Sequence, residues 1–93
     1  MKTVEKIEKE EIINLKFSRK EVLQEDVKRK QRNFELMRAQ ALGNLLKNKV
    51  NITFETADEK VFQVSTTVWA VGSDYVSLKK NLFIPINAIL EVE

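Results

Sequence analysis

The chain has no cysteine and no histidine, and only two glycines and one proline among its 93 residues. Without cysteine there is no disulfide framework, no thiol nucleophile and no thiolate-held zinc or iron–sulfur centre. Without histidine the commonest general base and the commonest transition-metal ligand are missing. Two glycines, Gly43 and Gly72, are too few for a phosphate-cradling loop. Long apolar runs are missing as well. The longest is Val68–Val71, and the alternating charges of residues 1–11 resemble neither a signal peptide nor a membrane span. A cytoplasmic chain without a membrane partner is expected.

What is present is ordinary for one folded domain: 43% apolar and 32% charged residues, with a net charge of +2. The charge is uneven. Residues 1–48 carry twelve Lys/Arg against eight Asp/Glu (+4), and residues 49–93 carry four against six (−2). Such asymmetry suits an acidic partner, and a solvated helix gives the same pattern.

Helix formers give way to strand formers near Asn48–Lys49. Residues 1–17 read as an N-terminal extension, with a short helix over 3–13 as one option. Ser18 followed by Glu21 has the spacing of a capping box, and Phe17 with Val22 that of a hydrophobic staple. A helix is therefore expected over 18–48, with Leu23, Val27, Phe34, Met37, Ala41 and Leu45 as its apolar stripe, widened by Leu42 and Leu46. Gly43 should weaken its last turns, and Asn48 is the expected stop. Residues 49–93 then read as five short strands. The first alternates Val50, Ile52 and Phe54 with Asn51, Thr53 and Glu55. The second, over 60–71, changes phase near 65–67 and so should bend. Turns are expected at 56–59, Gly72-Ser73-Asp74 and Lys80-Asn81. Pro85 ends the fourth strand, and a helical turn at 86–88 precedes the fifth.

Leu45-Leu46 followed by Val50-Asn51-Ile52-Thr53-Phe54, Asp74-Tyr75-Val76-Ser77-Leu78, Ile84-Pro85-Ile86 and Ile89 resembles the Sm-like small β-barrels, a branch of the SH3-like barrels. The resemblance covers about residues 42–93 and rests mostly on hydrophobic spacing. It implies an α+β fold in which a long N-terminal helix is followed by a five-stranded antiparallel barrel, with ring formation and single-stranded RNA binding among its relatives. The family's pocket residues do not carry over: their positions fall near Ser77 and on Pro85-Ile86, and the glycine of the bent second strand is missing.

Several groups of residues bear on function. Lys28, Arg29, Lys30 and Arg32 form the densest basic run, suited to phosphate contacts, with Trp69 and Tyr75 as a stacking platform for bases. Phe34, Met37, Leu42 and Leu46 suit a protein interface, including one with a second copy of the chain. Glu5, Glu8, Glu10 and Glu11 cluster without the loop of a calcium site, so no metal or cofactor is expected. Ser65, Thr66 and Thr67 have no base to activate them, so neither an enzyme nor a small-molecule substrate is expected. Two functions stay open: a non-enzymatic adaptor making protein contacts or homo-oligomers, and a single-stranded RNA or DNA binder.

Overall fold

The computed structural model describes residues 3–93. Strand β1 (Val4–Ile7) and a 3-10 turn over Lys9–Asn14 come first. An extended strap then leads to helix α1 (Asp26–Leu46). Six strands follow: β2 (Val50–Glu55), β3 (Val61–Thr66), β4 (Val68–Val71), β5 (Tyr75–Leu78), β6 (Leu82–Pro85) and β7 (Ile89–Val92). One sheet has the order β1-β3-β2-β7, with β1 parallel to β3, and the other has the order β4-β5-β6. Among the described residues no helix is long and apolar enough to cross a membrane.

The α+β class is as expected, but its finer description is corrected. Among the described residues the helix is central, there are seven strands, and the two sheets do not close into a barrel. The strand expected over 60–71 is interrupted at Thr67, so its halves join different sheets. The additional strand, β1, comes from residues with almost no alternation: Val4–Lys6 are exposed, and the parallel ladder to Val61–Val64 alone holds them extended.

Residues 18–25 are not helical, although the capping pattern predicts it. Their backbone groups are committed to distant partners. The Ser18 amide donates to the Glu55 carbonyl (3.1 Å) and the Val22 amide to the Asn87 carbonyl (2.9 Å). The Asn87 side-chain amide donates to the carbonyls of Ser18 and Lys20 (2.8 Å each). A capped first turn gains about 1 kcal/mol, less than this set of long-range bonds can supply. Phe17 staples nothing on the helix and instead stacks tilted on Phe54, with ring centres 5.2 Å apart. The helix stops at Lys47, not Asn48: Lys47 is left-handed (φ 55°), and its amide donates to the Gly43 carbonyl.

Leu36 and Ala39 of α1 share one core with Ile12, Ile52, Phe54, Val64, Val68, Val76, Leu78, Ile84, Ile89 and Val92. The sheet edges are dressed as exposed edges require. Gln40 of α1 accepts the Val71 amide at the β4 edge (2.6 Å), and Arg32 donates to the Ile89 carbonyl at the start of β7 (3.0 Å). The Thr66 hydroxyl is buried without a hydrogen-bond partner among the described residues. Thr66→Val keeps the shape and removes that desolvated group, so it is expected to stabilise the fold by about 1 kcal/mol in a urea titration.

Candidate interaction surface

Helix α1 has two faces of opposite exposure. At about 100° per residue, Arg32, Leu36, Ala39 and Gly43 span an arc of about 60°, and all four are buried. Val27, Phe34, Ala41 and Leu45 span about 40° on the opposite side, with Met37 about 60° beyond Phe34. That side faces solvent: Phe34 is 63% exposed, Leu45 81% and Val27 75%. The apolar stripe legible in the sequence is thus mostly the outer face of α1. The face on the sheets carries one large apolar residue, Leu36, with the small Ala39 and Gly43 and one arginine, because close helix–sheet approach selects for size as much as for hydrophobicity.

The residues proposed for a protein interface divide accordingly. Phe34 and Met37 stand on the outer face, Leu42 is half-buried beside Val50 and Val92, and Leu46 is exposed at the helix end.

The proposed nucleic-acid residues do not come together. Arg32 is buried, with both terminal nitrogens on the Glu21 carboxylate (2.6 and 2.7 Å), so it is withdrawn from any phosphate contact. Arg29 donates to the carbonyls of Leu23 and Gln24 (2.9 and 3.1 Å) and lies 3.5 Å from Asp26. Lys30 pairs with Asp26 at 3.3 Å. Lys28 is exposed, but it lies about 160° around the helix from Lys30. Trp69 and Tyr75 are both about half exposed and make no ring contact with each other.

A cleft of about 720 Å³ lies between α1 and the β4–β5 turn. Met37, Val71 and Tyr75 give it an apolar wall, and Glu21, Ser73 and Asp74 give it polar groups. Of the hydroxyls considered as nucleophiles, Thr66 and Thr67 are buried, and Ser65 is exposed on β3. Of the acidic cluster, Glu10 pairs with Lys80 (3.3 Å) and Glu11 accepts the Glu8 amide (2.9 Å).

The outer face of α1 was missed as such because periodicity reveals a stripe without its direction. The signal that could have shown the direction is the second, shorter series Leu36, Ala39 and Gly43, in register with Arg32. Compared with protein-family models, curated proteins and solved structures, the chain matches none of them.

Proposed function

We propose that the chain is a non-enzymatic, cytoplasmic interaction module that binds protein through the outer face of α1. One observation carries this reading: four large apolar side chains, Val27, Phe34, Met37 and Leu45, stand in solvent along one side of a helix whose opposite side is buried at Arg32, Leu36, Ala39 and Gly43. Single exposed apolar residues are normal on a soluble protein, whereas four on one face of a helix, with Lys30 between the first two, support an interface. A nucleic-acid role is left with Lys28 and Lys30 on separate sides of the helix.

The test is a photo-crosslinking amino acid, p-benzoylphenylalanine, placed at Phe34 in one variant and at exposed Lys60 in another, irradiated in living cells. Protein adducts are expected from position 34 and not from position 60. Equal labelling, or none at position 34, overturns the reading.

A further inference from the structure

Strand β1 is weakly held, and the edge of β3 on which it lies is a better seat than β1 is an occupant. Val4, Glu5 and Lys6 are exposed, and only Ile7 is half-buried against the core. Ordering these residues costs backbone entropy. With so little burial, the ladder to β3 is what offsets that cost, and parallel ladders are slightly less stable per residue than antiparallel ones.

The seat itself is fixed from its other side. The Thr56 amide donates to the Lys60 carbonyl (2.9 Å), and farther along the hairpin Phe54 and Ile52 lie opposite Phe62 and Val64. Hydrogen-bonded pairs recur at every second position of an antiparallel ladder. Phe62 and Val64 therefore commit their backbone groups to β2, whereas the N–H and C=O groups of Val61 and Gln63 turn toward β1.

The side chains of β1 match this seat at one place and not at the next. In register, Ile7 lies beside Val64 and Glu5 beside Phe62. The first pair extends the core. The second sets a carboxylate beside a half-buried ring that packs 6.0 Å from Phe54 and also walls a cleft of about 370 Å³ with Leu15 and Thr56. A strand with an apolar residue in place of Glu5 has more to bury there.

We propose that β1 detaches while the rest of the chain stays folded, and that the opened β3 edge takes an extended strand of another protein, one with apolar residues beside both Phe62 and Val64. The main chain supplies the affinity and the alternate side chains the selectivity, as in strand addition generally. With no partner bound, β1 covers an edge that would otherwise pair indiscriminately. Its tether is short, since Ile12 is buried in the core. β1 therefore returns at an effective concentration on the order of millimolar, which a competing strand must overcome. This surface shares no residue with the outer face of α1, so the two readings stand or fall separately.

Hydrogen exchange measured by NMR on the full chain tests the detachment. The Val61 and Gln63 amides are expected to exchange about 100-fold faster than those of Phe62 and Val64, because the first two need only β1 to open. Equal protection of all four would overturn the proposal.

A probe peptide, residues 3–8 with Glu5→Val, tests the docking. Titrated into the full chain from about 0.1 to about 5 mM, it should saturate the shifts of the Val61 and Gln63 amides and release those of Glu5 and Ile7 to free-chain positions. The same peptide carrying Ile7→Asp as well should leave the spectrum unchanged. In the full chain, Glu5→Val should slow Gln63 exchange about 5-fold and resist the probe, because the better strand is then already tethered. No displacement of β1 at the highest concentration, or equal binding of the aspartate peptide, would overturn the proposal. So would Gln63 protection that rises with chain concentration, which would place a second copy's strand on the edge.

Discussion

Gly43→Ala is expected to destabilise the protein by about 2 kcal/mol, lowering Tm by about 10 °C, although alanine is the better helix former. Gly43 lies where α1 crosses β4, and a methyl carbon there would come 2.3 Å from the Val68 carbonyl oxygen and 3.1 Å from the Thr67 methyl. The obstructing atom is backbone in a strand, so no side chain can swing aside and the helix itself must lift. Overpacking of this severity costs about 3 kcal/mol, and the helical preference of alanine returns about 1 kcal/mol. Gly72→Ala is the control. The nearest atom to its new carbon, the Tyr75 carbonyl oxygen, is 3.3 Å away, and Gly72 has no positive φ, so a change within about 0.5 kcal/mol is expected. Thermal melts of the two variants check both values. Equal effects would mean that α1 does not bear on β4 as described.

The second large effect concerns Glu21 and Arg32, and it is asymmetric. Arg32 has a side chain only 4% exposed, whereas that of Glu21 is 34% exposed. Arg32 donates to both Glu21 oxygens and to the Ile89 carbonyl, and its Nε finds no partner among the described residues. Removing the carboxylate leaves a buried cation without a counter-charge, a loss of about 3 kcal/mol. Removing the cation leaves a carboxylate that already reaches water. Glu21→Ala is therefore expected to destabilise by about 3 kcal/mol and Arg32→Met by about 1 kcal/mol or less, because methionine fills much of the same volume. Urea titrations at pH 7 check the order, and a larger loss for Arg32→Met would contradict the burial argument.

Acid should abolish the difference between wild type and Glu21→Ala. The hydrogen bonds from Arg32 hold the Glu21 carboxyl below its ordinary value of 4.5, assisted by the Leu23 amide and opposed by partial burial. A lowered folded-state pKa stabilises fully above the unfolded value, and that stabilisation is lost as pH falls through the folded one. Glu91 titrates in the opposite sense. Burial, with the charge of Glu93, raises its pKa, so its contribution becomes less favourable as pH rises through that range. The difference between the two chains isolates Glu21 from this opposing group.

The strands from residue 50 onward were legible because their signals are local. Alternating β-branched and aromatic residues define β2 and β3, and Lys80-Asn81 is a turn in which both residues take positive φ (68° and 59°). Even there, alternation understated the burial: Thr53 and Glu55 are buried although their parity points away from Ile52 and Phe54. The start of α1 was misread for a non-local reason. The Ser18–Glu21 pattern is a sound capping signal, but Glu21 serves Arg32, eleven residues on, and Asn87 holds the strap extended. The candidate site was half legible. Phe34 and Met37 were singled out for partner contact and lie on the outer face, whereas Arg32 looked like part of a basic patch and proved to be a buried structural cation.

The sequence by itself determined that the chain folds with one long helix before a strand-rich half, and that histidine, cysteine and glycine-loop chemistry are closed to it. Composition and short-range periodicity suffice for that, since both act within a few residues of the chain. Only the tertiary structure decided which side of α1 faces the core, where the bent strand divides between two sheets, and that residues 4–7 form a strand. Each of these depends on atoms distant in sequence: the Val68 carbonyl that admits only Gly43, the break at Thr67, and the free edge of β3 that receives Val4–Ile7.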